Sequence, residues 1–424
     1  MGSTLTFGLR RHAFGGACAL LLAAALGCAK GSGQNQAANP PAAGQATGKA
    51  AANTQQPAQD QNKGPQFPRP DHVRGIYVTA WSAGTPKKLD ELIALCKNAG
   101  LNAMVIDVRD TGEMYWDNDI PLAKEAHADL HAIPDPKKVM DKLAANGIYP
   151  IARIACFRDN YVPKAHPELA VQLANGKVWR DRSGHSWLDP YNKKNWDYMS
   201  KTVNFALDVG FNEIQLDYVR FPSEGKSSTE RYPARKEYGD GNAKPEDVIG
   251  AFAKFITDQV KARGAYSSAD IFGIISTVHN DQGIGQLLKI VSGPFDVISP
   301  MDYPSHFSNG MFGIKDPNSA PYETVFRSLT DTKNRLPDKQ VRPWLQAFTL
   351  RGVHYGDDQV YDQIKAARDC GYDNFLLWNA GNKYPTLLDL PAKEKQWEAE
   401  EAAKAAKAPT QPANPAPADT KQGH

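Results

Sequence analysis

The sequence predicts an α/β protein, a (β/α)8 TIM barrel with long βα loops, set between two low-complexity tails. Three observations lead there. From Arg74 to Ala380 short apolar runs alternate with amphipathic stretches, the signature of a parallel α/β fold. The alternation counts out to eight units, which favours closure into a barrel. The G-x-G-x-x-G turn of dinucleotide-binding sheets is missing after the first strand, where Ala80-Trp81-Ser82-Ala83-Gly84 stands instead.

The elements follow in order. A first strand over residues 74–80 leads to Thr85-Pro86, a cap followed by a proline at the first helical position, opening a helix over Pro86–Asn98. A second strand spans 101–108 and a helix 136–146, stopped at Asn146-Gly147. The third strand covers 149–156, and its helix, 195–209, stops at Val209-Gly210. Strand four, 213–221, and a helix over 245–263 come next, then strand five at 271–277 and a short helix at 284–291. Strand six, 297–303, precedes a helix at 322–334, and strand seven, 341–348, one at 357–370 that ends on Cys370-Gly371. Strand eight is 374–379. The loops after strands two, three, four and six are long, and that end is where barrels keep their functional groups.

The 424 residues are 41% hydrophobic with a net charge of +2, enough for one large core and no electrostatic case for nucleic acid. Arg10, Arg11 and His12 precede an apolar run from Ala13 to Leu26, the order of a secretory signal over residues 1–27. The run is too short for a membrane span. Cys28, after Ala25-Leu26-Gly27, resembles the lipidated cysteine of a bacterial lipobox. That implies an exported lipoprotein held at the cell envelope by an N-terminal lipid anchor, with plain secretion as the alternative. Residues 28–69 read as the lipidated cysteine and a flexible linker, too poor in apolar side chains to fold. Residues 70–392 form the barrel domain, and 393–424 a charged, then Pro/Ala-rich tail. Cys96, Cys156 and Cys370 have neither disulfide nor zinc spacing and are expected as buried thiols.

Strand four delivers Asp217 to its carboxyl end, followed by Tyr218 and Arg220; strand six ends on Asp302-Tyr303. Strands buried on both faces are mostly apolar, so acids at these ends need a reason. Two carboxylates at a barrel mouth are the minimum equipment for acid/base hydrolysis of a glycosidic bond. A structural pair with Arg220 or Arg109 is the plainer account of Asp217, and a loop cap that of Asp302. Alternation puts Asp107 and Arg109 of strand two on one face, where the arginine would keep a carboxylate ionised; a structural salt bridge explains the pair as well. Glu113 on the next loop is a reserve acid, with a solvated loop residue the plainer account. Trp81, Trp179, Trp187 and Trp378 fall at or beyond strand ends, where flat rings suit the C–H faces of sugars, and Asn379 adds an amide that reads hydroxyls. Asp189 reads as an Asx turn capping the next helix. His279-Asn280-Asp281 lacks a third ligand, and H-E-x-x-H and G-x-S-x-G are absent, so no metal or cofactor is expected.

Arg74-Gly75-Ile76-Tyr77, Val105-Ile106-Asp107-Val108-Arg109-Asp110, Trp187-Leu188-Asp189-Pro190, Leu216-Asp217-Tyr218-Val219-Arg220-Phe221-Pro222 and Ser299-Pro300-Met301-Asp302-Tyr303-Pro304 together resemble a bacterial family of predicted glycoside hydrolases, described as a domain of unknown function with a predicted barrel. The resemblance runs from about Val73 to Tyr384. It implies distant likeness to α-galactosidase- and amylase-type barrels, in which the strand-four aspartate is the nucleophile. The α-galactosidase-like pattern puts the acid at the end of strand six, hence Asp302. The amylase-like pattern wants an acid after strand five, where this chain offers Ser276-Thr277 and only later Asp281.

The expected activity is therefore hydrolysis of O-glycosidic bonds in an envelope or extracellular poly- or oligosaccharide. Asp217 would serve as nucleophile or base, Asp302 as acid, and Arg109 or Arg220 would hold Asp217 ionised. Trp81, Trp187 and Trp378 would line the cleft, with Asp107, Tyr218, Tyr303 and Asn379 as further contacts. A non-catalytic carbohydrate-binding barrel is the alternative. Carboxyl groups about 5–5.5 Å apart would imply retention, and about 6.5–9.5 Å inversion.

Overall fold

The computed structural model describes residues 67–384 and 390–407. The signal segment, Cys28, the linker up to Gln66 and the Pro/Ala-rich end lie outside the described residues.

Eight parallel strands form the barrel: β1 (Arg74–Val78), β2 (Ala103–Asp110), β3 (Tyr149–Ala155), β4 (Glu213–Asp217), β5 (Tyr266–Phe272), β6 (Val297–Met301), β7 (Trp344–Gln346) and β8 (Phe375–Trp378). Each hydrogen-bonds to the next, and β8 pairs back with β1, which closes the ring. Closure leaves the eight barrel strands without an open edge. After β2 the chain turns back as Glu113–Trp116, antiparallel to β2, and a segment Asp129–Ile133 extends this excursion.

The outer layer holds α1 (Ala80–Gly84), α2 (Pro86–Asn98), α3 (Pro136–Ala145), α4 (Lys193–Val209), α5 (Pro245–Ala262), α6 (Leu288–Ser292), α7 (Pro321–Arg335) and α8 (Asp357–Asp369). α5 shows the pattern: Val248, Ile249, Phe252, Ala253, Ile256 and Val260 share one buried stripe. α4 begins where the Asn192 side chain accepts the Lys194 N–H and ends at Gly210 with φ 111°, a left-handed stop that glycine makes without a Cβ clash. Asp189 makes its Asx turn to the Tyr191 N–H (2.9 Å), but the cap of α4 is Asn192. Pro86 does open α2; Thr85, however, sends its hydroxyl to the Trp81 carbonyl and caps nothing.

Two departures from the sequence reading matter. The first is β5, which runs over Tyr266–Phe272, about one turn of chain earlier than expected, while Gly273–Ser276 forms a 3-10 turn. Ser267, Ser268 and Asp270 read as loop because they are polar. The barrel lumen is polar too: the Ser268 hydroxyl donates to Glu213 Oε1 (2.8 Å), and Glu213 forms a buried ion pair with Arg342. Gly273 then lets the chain pass β6, since a Cβ there would lie 2.7 Å from the Met301 carbonyl oxygen. The second is a further helix, α9 (Leu390–Lys407), which begins before the expected tail. Glu394 pairs with Arg74 (2.9 Å) and Trp397 meets Tyr361 edge-on, so the helix packs on the barrel. Cys96, Cys156 and Cys370 are free, buried thiols, as expected.

Candidate active site

The carboxyl ends of the strands gather around one arginine. Arg153 is the only charged residue of β3, a strand buried along its whole length. A cation in such a strand has to face a polar lumen, and it does. Its Nε (3.0 Å) and Nη2 (2.6 Å) both donate to Asp217 Oδ2, at the last residue of β4. Its Nη1 donates to Asp107 (2.6 Å) and reaches Asp110 (3.3 Å), both from β2. The guanidinium lies 5.2 Å from the ring centroid of Trp378, which stacks on Tyr77 at 3.9 Å. The Tyr77 hydroxyl donates to Asp107 Oδ2 at 2.5 Å. Tyr218 has φ 50°, rare for an aromatic residue, and the kink turns its own N–H onto Asp217 Oδ1 (2.6 Å).

A second carboxyl stands beside Asp217. The β4–β5 register pairs Leu216 with Ala269, so the next residues, Asp217 and Asp270, are side by side on strands ~4.8 Å apart. Asp270 Oδ1 accepts from Trp344 Nε1 (2.7 Å) and from the Gln215 amide. Burial, and then the Asp217 charge, push the Asp270 carboxyl up to about 8. Asp107 is raised to about 7 by burial, with Arg153 opposing. Burial also opposes ionisation of Asp110, but Arg153 and Arg158 outweigh it and hold Asp110 below the usual carboxylate range. Asp217 is 7% exposed and Asp270 1%, so the pair forms the floor of the mouth.

A family model described as a putative glycosyl hydrolase domain matches residues 75–384. The chain belongs to that family. Membership makes glycoside hydrolysis the class of chemistry for this barrel. Among solved structures the chain is similar to a hypothetical protein from Ruminiclostridium thermocellum ATCC 27405, with 33% identity over 47% of this chain and 99% of that one (TM-score 0.42). It is also similar to α-L-fucosidase isoenzyme 2 from Paenibacillus thiaminolyticus, with 12% identity over 78% of this chain and 50% of that one (TM-score 0.51). For TtGalA, an α-galactosidase from Thermus thermophilus, identity is 14% over 78% and 62% (TM-score 0.46). The chain thus spans half of the fucosidase and under two thirds of the α-galactosidase. The fucosidase likeness supports the barrel fold alone.

For this family member the structure reassigns several expected site residues. Asp302 lies one residue past β6 and faces outward. Asp270 of β5 pairs with Ser299, so alternation points Ser299 and Tyr303 inward and Asp302 at the helices. There Asp302 Oδ1 accepts the Ser328 hydroxyl of α7 (2.6 Å), and Oδ2 is buried without a partner. It does not face Asp217, and Asp270 takes the place expected for it. With β5 in its observed position, Asp270 is an acid within strand five, two residues before its end, and not one after it.

Arg109 is turned away by a bulge. Asp107 pairs with Arg153 and Arg109 with Ile154, so two steps along β2 match one along β3 and the alternation breaks. Arg109 therefore pairs with Asp159 under Tyr198 of α4, while Asp110 takes the inward place. Neither Arg109 nor Arg220 contacts Asp217; Arg153 does so instead. Trp187 is 1% exposed and gives its Nε1–H to Asp181 (3.0 Å); it meets Tyr218 edge-on and offers no face to solvent. Asn379 spends its side chain on the Ala347 carbonyl and the Gly381 N–H. Trp81 is 57% exposed, Trp378 half-buried, and Tyr303 is buried near Asp270 and Asp217. His279 is an exposed loop residue.

Asp302 carries a prediction. Burial pushes its carboxyl up to about 7, Ser328 only partly offsetting it. An unfolded aspartate titrates near ~3.9. The folded state therefore holds the extra proton across that window, and stability falls as pH rises from ~4 to about 7. Asp302→Asn removes the penalty. Its Tm should exceed that of the wild type at pH 8 but not at pH 4, by up to roughly 4 kcal/mol in stability. Glycan cleavage should be unchanged; its loss would return Asp302 to the chemistry.

Proposed function

We propose that this protein hydrolyses O-glycosidic bonds of an oligo- or polysaccharide with Asp217 and Asp270 as its carboxyl pair. The observation that carries the reading is their placement side by side, Asp217 at the end of β4 and Asp270 two residues before the end of β5, in environments that differ. Asp270, raised to about 8, keeps its proton at neutral pH and acts as the general acid. Asp217 accepts only from donors, Arg153 and the Tyr218 N–H, a set matched to an ionised carboxylate that attacks the anomeric carbon or activates water. Trp378, and Trp81 at 57% exposure, offer ring faces to the sugar. In the proposal the barrel is exported and works at the bacterial cell envelope on a lipid anchor at Cys28.

A non-catalytic sugar-binding barrel remains a second reading, favoured by one observation, the 1% exposure of Asp270. The experiment is reducing-sugar release by the full chain from a panel of bacterial and plant polysaccharides, with binding measured in parallel. Release supports the hydrolase; binding without release of any bound polysaccharide supports the second reading and contradicts the first.

A further inference from the structure

Among the described residues, one cation at the mouth forms no ion pair. Arg220 is 4% exposed, yet among the described residues no carboxylate lies within 4.0 Å of it. Its Nη1 donates to the Phe221 carbonyl (3.1 Å), and its Nε and Nη2 have no partner among the described residues but are not sealed from solvent. Three rings surround the guanidinium: Phe272 at 4.6 Å, Trp187 at 4.8 Å and Tyr218 at 5.0 Å. A buried charge left unpaired is expensive, and aromatic faces offset only part of that.

Arg158 lies over the same Tyr218 ring at 3.9 Å. Its nearest carboxylate, Asp110, is 3.8 Å away and is shared with Arg153. Three arginines (Arg153, Arg158 and Arg220) thus stand at this mouth. The carboxylates that pair there, Asp107, Asp110 and Asp217, all engage Arg153, and Arg158 shares Asp110. None of the three carboxylates pairs with Arg220, so the place for a further anion is beside Tyr218.

We infer that the sugar taken at this mouth carries an anionic group, a carboxylate as in a uronic acid, received by the free edge of Arg220 with Arg158 beside it. The planar guanidinium fork matches a planar carboxylate, and the aromatic rings around it exclude water from the pair. The sugar part of this inference rests on the hydrolase reading; the charge part rests on the arginines alone.

The test is calorimetric titration of the full chain with D-glucuronate and D-galacturonate, their methyl esters, and glucose 6-phosphate and 6-sulfate. The uronates should bind roughly 10- to 100-fold tighter than the esters, and Arg220→Met should erase the difference. Arg220→Met should melt at or above the wild-type temperature, because it removes an unpaired buried charge; a structural arginine would do the reverse. Where Arg220→Met fails to fold, Arg220→Lys decides, since it keeps the charge and loses the fork: weaker uronate binding supports the inference and unchanged binding overturns it. Equal binding of acid and ester, or binding of neither, overturns it, and preference for the phosphate or sulfate overturns the choice of carboxylate. Charge preference without cleavage of any glycan would sink the hydrolase reading alone. Cleavage of a neutral glycan at a rate that Arg220→Met leaves untouched would sink this one alone.

Discussion

Asp217→Asn should lose cleavage by about 10⁴-fold or more in kcat while still binding glycan, the outcome expected when an interaction made only in the transition state is removed. The amide keeps the size of the carboxylate and an oxygen for Arg153, so the barrel should still fold. It can neither attack an anomeric carbon nor take a proton from water. The change also removes the negative neighbour that helps to raise Asp270, so the adjacent acid should titrate lower in the variant than its wild-type value of about 8. Steady-state kinetics beside a binding isotherm check both halves. Equal loss of binding and turnover would mean that Asp217 holds the substrate and does no chemistry.

Arg153→Met should be the most destabilising single change at the mouth. Arg153 is hydrogen-bonded to Asp217 and Asp107 and reaches Asp110 at 3.3 Å. Breaking a buried ion cluster by removing one partner costs roughly 3–5 kcal/mol, because the charges left behind are uncompensated. For a domain of this size that corresponds to a fall of about 4–7 °C in Tm. The pH dependence has a definite sign. Without the arginine the carboxylates favour their protonated forms, so the deficit against wild type should be large at pH 8 and shrink towards pH 5. Arg153→Lys should rescue only part of it, since one ammonium cannot reproduce the fork that meets Asp217 with Nε and Nη2 and Asp107 with Nη1. Calorimetric melts at the two pH values decide this, and equal deficits would contradict the cluster as the cause.

The barrel was legible because its signal is periodic: eight apolar runs with seven amphipathic stretches between them survive errors of a few residues at any boundary. Asp217 was legible for a related reason, since an acid at the end of a buried strand has to face something polar. What could not be read was orientation. A bulge in β2 separates Asp107 from Arg109, and no local residue pattern announces it. Asp302 faces outward by a parity that becomes clear only once β6 is registered against β5. Asp270 was hidden by the assumption that barrel strands are apolar; Ser268 and Asp270 face a lumen that already holds Glu213, Arg342 and Gln215. Arg153 was the available clue, a lone charge within Tyr149-Pro150-Ile151-Ala152-Arg153-Ile154-Ala155 that no apolar environment would accept.

The central claim, that Asp270 is the acid partner of Asp217, is tested most directly by the pH–rate profile of cleavage for the wild type and Asp270→Asn. The wild type should lose kcat as pH rises through about 8, where the Asp270 proton leaves. Asp270→Asn should be slower by about 10²- to 10⁴-fold at neutral pH and should lack that basic limb. An Asp270→Asn enzyme that keeps both its rate and the fall above pH 8 would show that the proton comes from another group, and the pair at β4 and β5 would not be the catalytic one.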